Sequence, residues 1–486
     1  MDVDNKTIFW LIRLISIVLA CLVGILMLDN VWLKLMLLLV WTWLVLAALL
    51  LLKNRATSGQ IMSGLLFVFI ASTFLNQEFL SIRVGMVTLF VYRLMLAACL
   101  LYFLGCLIRK QWVARAWRES PVKAYLLFFV LWGVYGAASL IWAASFSEGL
   151  KYLLLLGTGL LFVLLAALTL NQWADLQWFH TIWLVMTALL MGIGLVNYFG
   201  QIQLPTSSLY GGPAYKLGYP TAVFTNQNDF ATLLSISFFF FLAFACEKRA
   251  LVWKASGSIG ALLSFFLIVL TESRASELGV VAGSAFYLFL MVPTRWRRRV
   301  LAAAGVLLVA GVILFSGSIF SKMTPYMTVE TDYSINDVPA SNIVRIHLLE
   351  STLHYLADSF GVGTGAGNLS FALSTRPVFN TNHIFEAHNW LAEIAGTFGI
   401  FIGVGYLIIY LALFYSLYRY ACSLPKQTKG MLLKGALCGQ IAFLFSSISP
   451  SSVSNLYFHW IFLGFLVTLL AVLRKEAASS YCSGGM

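Results

Sequence analysis

The chain has 486 residues, 60% of them hydrophobic and only 10% charged, with a net charge of +12. Soluble domains carry about 25% charged residues, so this composition excludes a soluble globular enzyme and points to a polytopic membrane protein. The cations sit in short turns between apolar runs, which argues against nucleic-acid binding and for cytoplasmic anchoring.

Apolar runs predict about fourteen membrane spans of an all-α protein, at 8–28, 32–52, 61–76, 85–108, 124–144, 150–170, 179–199, 228–246, 255–272, 276–293, 300–317, 389–417, 431–449 and 455–473. The third is short and 389–417 is long, so about twelve to fourteen spans fit the pattern. Ile8 to Leu28 is too long for the apolar core of a cleavable signal peptide and reads as the first span.

With both termini inside, Lys53 and Arg55, Arg109 to Lys123, Lys248 to Lys254, Arg295 to Arg299, Arg419 to Lys429, and Arg474-Lys475 all fall on the cytoplasmic side. The turns expected outside, such as Asp29-Asn30 and Ser449 to Asn455, are poor in cations. This is the positive-inside pattern, repeated along the chain. None of the seven cysteines falls in an exported segment, so no disulfide framework is expected.

Four regions follow: N-terminal spans over 1–200, a central membrane region over 201–315 with an outer loop at 200–228, a large exported loop at 316–388, and C-terminal spans with a short cytoplasmic tail over 389–486. Loops this long are uncommon and usually functional. Within the large loop, Ile346, Leu349, Leu353, Leu356 and Phe360 recur at steps of three and four and predict an amphipathic helix from Ser341 to Phe360. Such a helix lies on the membrane surface or covers a cavity. His347, Glu350, His354 and Asp358 share another face, with spacing that suits a solvated surface better than a metal site. Arg345 borders the apolar stripe and either aims inward or snorkels to water.

The run Gly361 to Gly367 is followed by Asn368 and matches neither a P-loop nor a dinucleotide fingerprint, so it reads as a tight turn. Ser273-Arg274 lies at an outside junction beside Glu272 and Glu277. Two readings stand there: an ion-paired turn, or an anion site in which Arg274 and Arg345 clamp a phosphate. Asn226 and Asn228 precede a span and either cap it or bind sugar hydroxyls. His388 can accept a proton near neutral pH, and Asn389 is placed to cap the helix that follows.

Phe224-Thr225-Asn226-Gln227-Asn228 before a span, Ser273-Arg274, Arg345, Gly361-Val362-Gly363, His388-Asn389-Trp390-Leu391 and Gly399, in this order, resemble the O-antigen ligase/polymerase superfamily of bacterial envelope glycan enzymes. The resemblance covers about residues 205 to 415. The chain departs from the family pattern in two places: Ala275 stands where Gly often follows the Ser-Arg pair, and Thr397-Phe398 where an acidic residue often precedes the glycine. The resemblance implies a fold similar to the membrane C-type glycosyltransferases and a metal-independent transfer, with no cofactor, on the outer face of the bacterial cell membrane. The implied partners are a glycan donor on a polyprenyl diphosphate such as undecaprenyl diphosphate, a glycan acceptor, membrane lipids and envelope-assembly proteins. His388 is implied as the base and Arg274 and Arg345 as holders of the diphosphate, with Asn226, Asn228, Ser273 and Asn389 in support. The whole chain is similar to the teichuronic acid branch, which implies a polymerase. A ligase, a lipid-linked-glycan flippase and an assembly scaffold are the alternatives. A flippase would place charges at mid-membrane, where only Arg13 and Arg93 clearly fall.

Overall fold

The computed structural model describes residues 57–74, 81–84, 87–109, 112–247, 250–314, 341–423, 428–450, 452 and 457–483. The expected spans 8–28 and 32–52, and the expected loop up to residue 340, lie outside these residues. The described chain is all-α apart from one hairpin. Its helices are α1 (Ser58–Thr73), α2 (Val91–Ile108), α3 (Val113–Arg118), α4 (Lys123–Ala138), α5 (Phe146–Thr169), α6 (Trp173–Gly200), α7 (Gln227–Glu247), α8 (Leu251–Leu270), α9 (Arg274–Met291), α10 (Thr294–Leu314), α11 (Ser341–Asp358), α12 (Asn368–Thr375), α13 (Trp390–Ser423), α14 (Thr428–Ser446) and α15 (Tyr457–Ser483). Among the described residues eight helices are long and apolar enough to cross a membrane: α2, α4 with its extension to Ile141, α5, α6, α7, α8, α13 and α15. This is a multi-pass membrane protein. Helix α9 opens on Arg274 and Glu277, and α10 carries Arg295, Arg297, Arg298 and Arg299 in its first turns, which dilutes their apolar character.

One expected span is corrected. Residues 85–108 are not one helix: β1 (Ser81–Val84) and β2 (Val87–Phe90) pair antiparallel, with Ser81 opposite Phe90, and α2 starts only at Val91. The short run Val87-Thr88-Leu89-Phe90 is rich in β-branched and aromatic residues, which favour a strand over the first turn of a helix.

The described residues divide into two compact units. One comprises Met1–Val130, Leu156–Leu233 and Leu456–Met486; the other comprises Leu131–Leu155 and Leu234–Asn455. In the first, α15 is buried on all sides, as expected of a helix that is apolar all round. Trp460 lies so close to Gly159 that an added Cβ would stand 2.3 Å from its ring. Phe179 meets Phe162 and, on α15 itself, Phe465 edge to face. The loop after α6 is built on buried amides: Asn197 accepts from the Thr221 and Ala222 N–H groups, and Gln203 donates to the Leu217 and Tyr219 carbonyls.

In the second unit the helices approach through small residues. A Cβ at Gly279 of α9 would stand 2.6 Å from the Ala442 carbonyl of α14, and one at Gly283 would stand 2.9 Å from the Cys438 carbonyl. Gly279 and Gly283 form a small-xxx-small ridge, the pattern by which apolar helices pack without a hydrophobic driving force. The two contacts run in opposite directions along the chain, so α9 and α14 are antiparallel. Helix α11 rests on α13, where Gly396 admits Thr352, and shares a core of Val344, Leu348, Tyr355, Leu369 and Leu373 with α12.

The helix expected at Ser341–Phe360 is present, but its expected apolar stripe is not the face that packs on the protein. Val344, His347, Leu348, Ser351, Thr352 and Tyr355 are buried, while Leu349, Leu353 and Phe360 are exposed. His347 turns inward, with its Nδ1 on the Asn380 carbonyl at 2.7 Å and its ring stacked on Phe379. That separates it from the exposed His354–Asp358 pair. Among the described residues no three His, Cys, Asp or Glu side chains group as a metal would require.

The expected span 389–417 is α13, which breaks at Gly399 (φ +82°, ψ 173°). The glycine-rich turn repairs the break. Thr364 N–H donates to the Gly396 carbonyl, Gly365 N–H to the Thr397 carbonyl, and Ile400 N–H to the Gly361 carbonyl, all at 2.9–3.0 Å. Gly363 has φ +89°, and a Cβ there would stand 2.4 Å from Gly399 N, so only glycine fits at the closest approach. Tyr135 OH and Trp142 Nε1 donate to the Val362 and Gly363 carbonyls and hold the turn from its other side.

Gly279→Val should force α9 from the α14 backbone and destabilise the protein by about 1–3 kcal/mol. Gly157→Ala, at a helical site with open space around it, should not destabilise. Melting temperatures of the purified variants check both.

Candidate functional site

Three short elements of the second unit build the site: the approach to α13, the helix α11 and the turn after α14. Asn389 caps α13, with its Oδ1 accepting from Ala392 N–H at 3.0 Å, as its sequence position suggested. The first helical N–H, that of Trp390, donates to the Ser447 carbonyl at 3.3 Å. His388, just before the cap, holds a left-handed backbone (φ +46°). Non-glycine residues rarely adopt this conformation, and it clusters at functional sites.

His388 and Arg345 meet on one residue, Ser449. His388 Nδ1 lies 3.2 Å from the Ser449 carbonyl oxygen, and Arg345 Nη2 donates to the Ser449 hydroxyl at 3.4 Å. A carbonyl can only accept, so Nδ1 carries the proton and Nε2 keeps its lone pair. Ser449 is 2% exposed. Burial pushes the His388 imidazole below its ordinary 6.5; the Ser449 and Pro450 carbonyls and the Glu386 carboxylate oppose this, and the Arg345 cation adds to it. Arg345 is half-buried, and burial lowers its pKa as well. A neutral base with an accepting Nε2 thus lies near a cation that can bind an oxyanion.

Ser449 was read from the sequence only as part of a cation-poor turn. Its contribution is a backbone carbonyl and a hydroxyl, which leave no spacing signature. A second missed feature is Glu393, one turn into α13 and 6% exposed. Its Oε1 accepts from Tyr152 OH at 3.0 Å and from Ser452 Oγ at 2.8 Å. It ties the far end of the same turn to α13. An acidic residue inside an apolar run was the signal for it.

Ser273 is buried and hydrogen-bonds Ser276 Oγ at 3.2 Å, so it shapes the turn before α9. Arg274 is exposed and pairs with neither Glu272 nor Glu277 within the described residues. No bond joins Arg274 to His388 or Arg345. The α9–α14 register, Gly279 against Ala442 and Gly283 against Cys438, carries Arg274 to the level of the last turn of α14, the end that leads into Ser447 and Ser449. Asn226 belongs to the first unit and caps α7, accepting from Asn228 N–H (2.9 Å) and Asp229 N–H (3.0 Å). Asn228 is half-buried in the first turn of that helix.

An apolar cleft of about 220 Å³ opens beside the site. Asn389, Trp390, Tyr406, Tyr410, Phe443 and Ser447 are among its walls, so it runs from the residue after His388 along α13 and α14.

Residues 259–410 match the O-antigen ligase family model. The chain is also 42% identical over 425 residues, 86% of each protein, to the teichuronic acid biosynthesis protein TuaE of Bacillus subtilis (strain 168). The chain belongs to the O-antigen ligase family. The family match contains Arg274, Arg345, His388 and Gly399, whereas Ser449 and Ser452 lie beyond its end.

Because the folded His388 titrates below 6.5, the unfolded chain takes up this proton first as pH falls. Its contribution to stability is complete above the unfolded value and is lost as pH drops through the folded one. Melting temperature against pH should fall more steeply below about pH 6.5 for the wild type than for His388→Asn, a residue that tolerates the left-handed backbone. Parallel curves would contradict the assigned burial of a neutral imidazole.

Proposed function

We propose that this protein polymerises lipid-linked oligosaccharide repeat units into a cell-envelope polysaccharide of the teichuronic acid type. The transfer takes place on the outer face of the membrane, with a polyprenyl diphosphate such as undecaprenyl diphosphate as leaving group. The observation that carries this reading is the joint seating of His388 and Arg345 on Ser449.

The step balances without an added reactant. An acceptor sugar hydroxyl attacks the anomeric carbon of the donor, and the bond from that carbon to the diphosphate oxygen breaks. The diphosphate leaves with the electron pair, and His388 Nε2 takes the hydroxyl proton. Arg345, with Arg274 arriving from α9, meets the charge that develops on the leaving group. Permanently charged guanidinium donors are suited to this and need no metal. The cleft between α13 and α14 receives the first part of the lipid tail, and its apolar walls match that chemistry. The 42% identical relative named for teichuronic acid biosynthesis supports the product class. Ligation of the glycan to a different acceptor would use the same groups; the product distinguishes the two.

Purified protein given lipid-linked repeats, without nucleotide and with a chelator present, should lengthen the glycan and release polyprenyl diphosphate. His388→Ala should lower the turnover by about 10²–10⁴-fold, and Arg345→Ala by about 10²–10³-fold. Undiminished elongation in both variants would refute the site. Single transfer to a non-lipid acceptor would identify a ligase.

A further inference from the structure

Helix α11 has two apolar faces, and only one of them is buried against protein along its length. Val344, Leu348 and Tyr355 pack into the core shared with α12. Leu349, Leu353, Leu356 and Phe360, at steps of four, three and four, form a second ridge that points away from that core. Leu353 is 55% and Phe360 96% exposed, while Leu356 between them is half-buried.

The backbone at Phe360 is an independent sign. The helix ends with Gly361 N–H donating to the Leu356 carbonyl at 2.8 Å, a Schellman-type closure. The residue inside that closure takes a left-handed conformation and is usually glycine. Here it is Phe360, with φ +52°. A strained backbone therefore holds out an aromatic ring that touches almost nothing in the protein.

What lies beyond the ring is visible from the neighbouring helix. The Gly361 carbonyl accepts from Ile400 N–H, so the ridge ends against the kink of α13. From there Ile400, Phe401, Val404, Ile408 and Leu411 continue as exposed apolar residues along a helix long enough to cross a membrane. Gly361 thus joins the end of the ridge to the start of this exposed row.

We propose that the Leu349–Phe360 ridge is buried in the hydrocarbon of the same bilayer that α13 crosses, with Phe360 as its anchor. The partner is lipid acyl chain. Glu350, His354 and Asp358, all exposed on the adjoining face, remain in water. Arg345 borders the ridge, so the anchor sets it at the level of the bilayer surface, where a lipid-borne anion would reside. The proposal concerns placement in the membrane and holds whichever reaction the site performs.

The test uses the full chain in phospholipid nanodiscs. The photo-crosslinking residue benzoylphenylalanine replaces Phe360, Leu353 or His354 one at a time, and mass spectrometry identifies the adducts after illumination. Abundant phospholipid adducts at positions 360 and 353, with several-fold fewer at 354, are expected. Equal lipid adducts at all three positions, adducts only to protein (a second copy included), or no lipid adduct at 360 and 353 would overturn it.

Discussion

A helix that breaks at the level of a membrane must have its opened backbone groups satisfied by protein. In this chain the break is at Gly399, and the partner is the turn from Gly361 to Gly367. The contact is backbone on backbone, with Gly363 and Gly399 so close that a Cβ on either would collide with the other strand of chain. That one interlock joins the end of α11 to the middle of α13. It thereby orients the first segment of α13, which begins beside His388, with respect to the helix that carries Arg345.

The candidate residues His388 and Arg345 are then brought to one point by a third piece of chain. The turn after α14 reaches Trp390 through the Ser447 carbonyl, His388 and Arg345 through Ser449, and Glu393 through Ser452. The α9–α14 packing through Gly279 and Gly283 brings the α9 start, with Arg274, to the same end. Arg274 thus opens α9, Arg345 lies in the second turn of α11, and His388 directly precedes the cap of α13.

Much of this was legible in the sequence because it rests on patterns with a physical cause. The capping Asn389, the amphipathic helix and the glycine turn leave residue types at expected spacings, whereas the grouping of His388 with Arg345 was implied only by the family resemblance. The direction of the apolar stripe was not legible, because α11 has two apolar faces and periodicity alone does not say which one is buried against protein. Ser449 contributes a carbonyl and a hydroxyl from 61 residues beyond His388, and such contacts leave no spacing to read. The hairpin at 81–90 was absorbed into a span because a short apolar run fits strand and helix equally well. Asn226 and Ser273, grouped with the site by family resemblance, have local structural tasks: a helix cap and a turn.

The central claim is that His388 and Arg345 form one site in which the arginine holds the diphosphate and the histidine handles the proton. Binding of undecaprenyl diphosphate to the purified protein separates these tasks. Arg345→Ala should weaken the affinity by at least about tenfold, the loss of one charge-assisted contact worth roughly 1.4 kcal/mol or more. His388→Ala should bind nearly as tightly as the wild type. Equal affinity in the wild type and Arg345→Ala would contradict the account.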